Sequence, residues 1–220
     1  MATTVEPTRA QTAAAPAVST PWYKNRSRLI IATAAIVAAI AVVAWFIVAS
    51  GKRKEEFAAR SLNQARTAAE AGNLPLASSE LQKLISAYKG TDAADEAVIT
   101  LNQVRMINGQ SELAVVGLRE FLGGNPPEQY RTPASGLLGA ALENAQKWEE
   151  AAKAYTEASN TAEVDDLKAQ YLVDAGRAYR MGGKLEDAAR VYRTILQKYP
   201  KSSSVTEAKV RLAEITDGKM

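Results

Sequence analysis

The sequence predicts an all-α protein: one N-terminal helix able to span a bilayer, then an α-solenoid of about four helix pairs closed by a C-terminal capping helix. Three observations predict it. The stretch from Leu29 to Ala49 is apolar, with Thr33 its one mildly polar residue. Alanines recur every 37 residues through the remainder, at Ala77, Ala114, Ala151 and Ala188. The composition is rich in alanine and only 6% aromatic, which suits closely packed helices better than a β-sandwich.

Residues 1–21 are rich in Thr, Ala and Pro and are expected to form a disordered tail. Residues 22–54 are expected to form the membrane anchor with its basic flanks. No charge interrupts Leu29 to Gly51, and twenty-odd helical residues cover roughly 30 Å, the hydrocarbon thickness of a bilayer. Trp45 and Phe46 lie near one end, where aromatic side chains favour the interface. Lys24, Arg26 and Arg28 flank one side, and Lys52, Arg53 and Lys54 the other. A cleaved signal peptide would carry a shorter apolar run, about 7–15 residues. A core helix in a domain of this size would keep one face in water, and this segment is apolar on every face. Cations at both ends nearly cancel the positive-inside bias, so the simplest topology is a short tail inside and a large domain outside.

The overall charge of +3 conceals a division. Residues 1–54 carry seven Lys/Arg and one acid, a net of +6, which leaves 20 basic and 23 acidic residues, a net of −3, for the rest. The basicity belongs to the membrane flanks, so no nucleic-acid partner is expected. There is no cysteine and no histidine. That excludes Cys/His zinc sites, cysteine nucleophiles, disulfides and histidine triads.

The 37-residue step extends beyond the alanines. Five positions before them stand Gly72, Gly109, Gln146 and Gly183; four positions after them stand Leu81, Leu118, Tyr155 and Tyr192. Twelve positions before them stand Ala65, Asn102, Gly139 and Gly176, and one more step lands on Ala213. The glycine closes the first helix of a pair in a left-handed conformation, the alanine lets the second helix cross closely, and the bulky residue fills the space beyond. One pair cannot bury its own apolar face, so neighbours must stack. Helices are expected over 58–71 and 75–88, 94–107 and 111–122, 130–145 and 148–159, 166–181 and 185–199, with a cap over 204–216. The repeat domain is expected to fill 55–220, as units 58–94, 95–131, 132–168 and 169–205 and a cap at 206–217.

From Ala169 the last unit reads AQYLVDAGRAYRMGGKLEDAARVYRTILQKYP. Its Gly176, Tyr179, Gly183, Ala188, Tyr192 and Pro200 fall where the tetratricopeptide consensus has its small, aromatic, turn, alanine, aromatic and closing-proline residues. The third unit keeps Gly139, Trp148, Ala151 and Tyr155. The usual unit has about 34 residues, and the extra length is expected in the connections between pairs. With the anchor included, the layout resembles the YfgM-type ancillary subunits of the bacterial Sec translocon. That resemblance implies a bacterial inner (cytoplasmic) membrane, a cytoplasmic N-terminus, an extracytoplasmic repeat domain, and contacts with the SecYEG channel and periplasmic chaperones. A general envelope-assembly or cell-division scaffold, or an organelle import receptor with cytosolic repeats, would share the architecture.

No chemistry is expected: no enzyme signature, cofactor, metal or small-molecule substrate. Glu55-Glu56, Glu149-Glu150 and Asp165-Asp166 are adjacent pairs that diverge on a helix and read as solvated or first-turn acids. Asp92, Asp95 and Glu96 read as helix-start acids and not as metal ligands. The expected partners are other proteins, with the bilayer met through residues 29–49. In tetratricopeptide arrays the first helix of each pair lines an inner groove. The resemblance places Gln103, Met106, Glu143, Asn144, Arg177, Arg180 and Met181 there. Arg177 and Arg180, three apart, either clamp a partner's carboxylate or carbonyls or stand as ordinary exposed arginines.

Overall fold

The computed structural model describes residues 22–216, and it is helical throughout apart from short connections. The helices are α1 (Trp22–Glu70), α2 (Leu74–Ala87), α3 (Asp92–Ile107), α4 (Ser111–Gly123), α5 (Glu128–Asn144), α6 (Trp148–Thr161), α7 (Asp165–Met181), α8 (Leu185–Lys198) and α9 (Val205–Thr216). The tail over 1–21 lies outside the described residues. From α2 onward the helix ends fall within two residues of those expected. The helix expected over 58–71 is instead the end of α1, which has no break after Trp22. Between Ser50 and Glu56 only Gly51 disfavours helix, by about 1 kcal/mol relative to alanine, and strong helix formers follow it.

The chain divides into two units, Met1–Ser50 and Gly51–Met220. The first contains the apolar part of α1, long and apolar enough to cross a membrane. Its large apolar side chains, from Leu29 to Val48, are all at least 58% exposed. The second unit contains the stack.

Within each pair the turn is the same object four times. Asn73, Gln110, Lys147 and Lys184 donate their backbone N–H to the carbonyls of Ala68, Arg105, Leu142 and Tyr179, at 2.8–2.9 Å. The residue before each donor bonds the carbonyl three residues back, which completes a Schellman cap on the first helix. The same four residues then start the second helix: their carbonyls accept from Ala77, Ala114, Ala151 and Ala188 at 2.9–3.1 Å. The 37-residue register of the alanines is therefore a register of turns. Gln146, the departure from glycine in sequence, adopts the same left-handed backbone, φ 58°, as Gly72, Gly109 and Gly183 at 73–77°. Gln146→Gly is expected to stabilise the domain by about 0.5–1 kcal/mol by relieving that strain, and Gly183→Gln to cost a similar amount. Urea denaturation of the two variants checks both signs.

The extra length of the unit does not all lie between pairs. In the third unit the connection over 162–164 is no longer than the turn inside the pair, whereas α5 has 17 residues against 14 in α6. Here the additional residues extend the first helix.

Packing follows the same register. Ala77, Ala114, Ala151 and Ala188 are completely buried. Where the third and fourth units have tyrosine on the second helix, they have glycine on the first. A Cβ on Gly139 would lie 2.6 Å from the Tyr155 ring, and one on Gly176 would lie 2.5 Å from the Tyr192 ring. The first unit pairs Ala65 with the smaller Leu81, both inaccessible to solvent. Three apolar clusters result: one across the end of α1, α2 and α3, one across α4 to α7, and one across α7, α8 and α9. Each large side chain buried there contributes about 1.5–3 kcal/mol. The last cluster includes Ala208 and Leu212 of α9, so α9 covers the end of the stack; Ala213 is only partly buried.

Two acids do more than the sequence indicates. The Glu55 carboxylate accepts the backbone N–H groups of Asp92 and Ala93, both at 2.9 Å, and so caps α3 from α1. Asp166 accepts from the Ser203 N–H at 2.8 Å just before α9. In both cases an acid at the start of one unit satisfies orphan donors one unit later. The Thr91 hydroxyl supplies the local cap of α3, accepting from Ala94 N–H.

Candidate protein-binding face

Successive first helices pack side by side: α3 on α5, and α7 on α9. Arg177 joins α7 to α5, because its Nε and Nη2 donate to the two carboxylate oxygens of Glu143, both at 2.9 Å. Its Nη1 donates to Asp174 Oδ1 at 2.6 Å, and the Tyr155 hydroxyl donates to Glu143 Oε2 at 2.9 Å. Four side chains from α5, α6 and α7 thus form one closed network. Burial pushes the Glu143 carboxyl up, but hydrogen bonds from Arg177 and Tyr155 and the Arg177 charge hold it below its ordinary value. Burial raises Asp174, and Arg177 only partly offsets that. Burial and the Glu143 charge push the Tyr155 phenol far up, so it stays a donor.

Of the residues expected along the groove, the structure brings Glu143 and Arg177 together. Arg177 is committed to two carboxylates of its own chain. Gln103, Asn144 and Met181 are exposed, and Met106 is half-buried against the α4–α7 cluster. Arg180 is half-buried and forms no ion pair among the described residues; its Nε is shut off from solvent without a hydrogen-bond partner. Asp174 escaped the sequence reading, and Tyr155 was read there as a packing residue and not as a donor to this face. Stepping back from Glu143, Asp174 and Arg177 by 37 gives Met106, Leu137 and Ala140, all packed against the apolar cluster. Stepping forward gives Arg180, Arg211 and Glu214. One structural position therefore changes along the stack from apolar to acid-with-arginine to arginine-with-acid.

The two tyrosines should respond differently to loss of the hydroxyl. Tyr155→Phe removes a donor from a carboxylate and is expected to cost about 1–2 kcal/mol. Tyr192 has a buried hydroxyl without a partner, so Tyr192→Phe is expected to be neutral or to stabilise by up to about 1 kcal/mol. Urea unfolding of both variants tests the contrast.

An open groove of about 690 Å³ lies away from these residues, lined by Ile85, Val98, Asn102, Arg105, Phe121 and Pro126 among others. Its charges, Lys89, Asp95, Arg105 and Glu120, are mixed in sign. Burial, Asp92 and Glu55 together raise the Asp95 carboxyl. Among the described residues no cluster of three or more acids is arranged to hold a metal.

Residues 170–202 match the tetratricopeptide repeat family. The solved structure of the MamA protein is similar at a TM-score of 0.58 and 18% identity, covering 74% of this chain and 83% of that one. The repeat domain has the tetratricopeptide fold. A chain of nearly identical TPR-like repeats from Podospora anserina also scores 0.58, at 14% identity, over 72% of this chain and 85% of that one. A tetratricopeptide repeat protein from Parabacteroides merdae scores 0.58 at 14% identity, over 75% of this chain and 61% of that one. No curated protein matches the sequence. A tetratricopeptide array is a scaffold for protein–protein interaction, generally without catalysis: it offers long helical faces and no enclosed reaction site.

Proposed function

We propose that this chain is a single-pass membrane scaffold whose tetratricopeptide domain, outside the cytoplasm, binds proteins of the bacterial Sec translocon and periplasmic chaperones and so assists the handling of envelope proteins. The observation that carries the reading is the joining, in one chain, of such an array to a helix segment with exposed apolar side chains on every face. The large apolar side chains from Leu29 to Val48 are 58–69% exposed, a surface that water does not tolerate and a bilayer does. The residues offered to partners are Gln103, Met106, Asn144, Arg180 and Met181 on the first helices. Glu143 and Arg177 shape that face while satisfying each other.

Two measurements test it. Protease added to intact spheroplasts should digest the chain beyond Glu55, and digestion only after lysis would reverse the topology. The detergent-extracted chain should retain residues 1–54 by mass and co-purify with translocon subunits. Recovery of a soluble form lacking the apolar segment would replace the anchor by a cleaved signal. Partners drawn solely from cell-division complexes would move the scaffold to that machinery.

A further inference from the structure

The groove of about 690 Å³ opens between two second helices, α2 and α4, with the first helix α3 as its floor. Asp95, Val98, Asn102 and Arg105 share the face of α3 that lines it. In every other unit this face carries no charge. A 37-residue step from Asp95, Asn102 and Arg105 gives Ala58, Ala65 and Ala68 in the first unit, and Thr132, Gly139 and Leu142 in the third. The fourth has Ala169, Gly176 and Tyr179. Two glycines of α4 and its end make the space. In the third unit Thr132 donates to the Thr161 hydroxyl at 2.9 Å and bridges α5 to α6, whereas the second unit has Asp95 and Gly124 at those positions. Gly117 stands where the other units have Glu80, Ala154 and Val191. A Cβ on it would lie 2.7 Å from Asn102 Oδ1 and 2.8 Å from Arg105 Nη1.

The groove is also held in shape. Asn102 is 1% exposed; its Nδ2 donates to the Val98 carbonyl at 2.8 Å, and its Oδ1 accepts from Arg105 Nη1 at 3.0 Å. Arg131 pins the far rim, its Nε donating to the Pro126 carbonyl at 3.2 Å. The charges that line the groove are left without counter-charges: Lys89, Asp95, Arg105 and Glu120 form no ion pair among the described residues. Asp95 bears the largest cost, because it is partly buried and has Asp92 and Glu55 as like charges beside it; all three effects push its carboxyl up.

We propose that this groove, on the second-helix side of the stack, binds an extended segment of a partner protein that brings a lysine or arginine to Asp95 and lays apolar side chains along Ile85, Val98 and Phe121. The proposal rests on the scaffold reading and deepens it, adding a second face and the chemistry of its occupant. A cation is favoured because it would relieve an acid crowded by two others, whereas an acidic segment would meet Asp95 and Glu120 together. At the other end the remaining N–H groups of Arg105 can donate to backbone carbonyls of the segment. Asp95 and Arg105 are ten residues apart on one helix, about 15 Å, which four or five extended residues span. A helix of that length would occupy roughly 1,200 Å³, more than the groove holds.

The test uses the full chain in detergent and three fluorescein-labelled hexapeptides, each acetylated and amidated. One has a lysine followed by leucine and valine residues, the second has glutamate in place of the lysine, and the third keeps the lysine among glycines and serines. Fluorescence anisotropy should show binding of the first and at least tenfold weaker binding of the other two. Asp95→Asn should weaken binding of the first about tenfold, and Asp95→Lys should transfer the preference to the glutamate peptide, a reversal that a merely structural role for Asp95 would not produce. Ser86→Trp, which fills the groove from an exposed position on its wall, should abolish binding with the circular dichroism unchanged. Met181→Ser, on the first-helix face, should leave binding as it is. Equal affinity for the lysine and glutamate peptides, or an Asp95→Lys variant that keeps the wild-type preference, overturns the proposal. Loss of binding in Met181→Ser but not in Ser86→Trp would move the peptide to the first-helix face and overturn it equally. A chain that binds none of the peptides yet co-purifies with protein partners loses this groove and keeps the scaffold function. One that binds the lysine peptide through Asp95 but recovers no translocon subunit keeps the groove and loses the translocon reading.

Discussion

Arg177→Ala is expected to destabilise the repeat domain by about 2–3 kcal/mol, because it strands two carboxylates that have little access to water. The side chains of Glu143 and Asp174 are 20% and 18% exposed. Arg177 itself is 43% exposed, so the loss should fall below that of a fully buried pair. The pH dependence carries the sign. In the wild type, Glu143 titrates below its ordinary value, so its contribution is present above pH about 4.5 and fades as pH falls through the lower folded value. Asp174 is raised, so it costs stability at neutral pH and is relieved as pH falls through its raised value. Without Arg177, burial should raise both acids, and the variant should recover part of its loss between pH 7 and about 5. Urea unfolding at the two pH values decides the matter, and a variant as stable as the wild type at pH 7 would remove the network from the account. It follows that Arg177→Ala is a poor probe of partner binding, since it disturbs the fold itself.

Gly176→Ala should also cost about 2–3 kcal/mol. The new methyl would sit 2.5 Å from the ring of Tyr192, which is completely buried and cannot withdraw. The first unit indicates the remedy, since it combines alanine at the equivalent Ala65 with Leu81. Tyr192→Leu should therefore cost less in the Gly176→Ala background than alone, with a coupling energy of about 1–2 kcal/mol. Strict additivity in the thermal midpoints would mean that glycine and tyrosine are not matched across the pair.

Much of this was legible in the sequence for one physical reason: the unit repeats because its turn repeats. Ala114 and Ala188 fall in register since each donates to the residue that caps the preceding helix. The strained backbone of Gln146 was visible only through its position among glycines. What escaped notice lies off the 37-residue step or across it. Glu143 and Arg177 are 34 residues apart, a spacing set by which faces of two neighbouring helices meet, and no single-helix periodicity displays it. Glu55 looks like one member of a solvated acidic pair until α3 brings its first N–H groups over the carboxylate. The unbroken α1 was missed because the basic residues after Ser50 were weighed as a membrane flank and not as the helix formers they also are.

The order of contacts along the stack has a kinetic consequence. From α2 to α9, each helix packs on the next in sequence, and the contacts that skip a helix, α3 with α5, α7 with α9 and the Arg177–Glu143 pair of α7 with α5 among them, skip just one. Closing any of these contacts confines no more than a helix and its turns, so the entropy lost before each contact forms is small. Chains built from such local contacts fold in microseconds to milliseconds, well ahead of sheet proteins of equal stability. A helix pair can therefore set as soon as its residues are free, without waiting for the C-terminus. In a chain synthesised from its N-terminus onward, that leaves apolar faces uncovered only briefly and one unit at a time, with α9 closing the last of them.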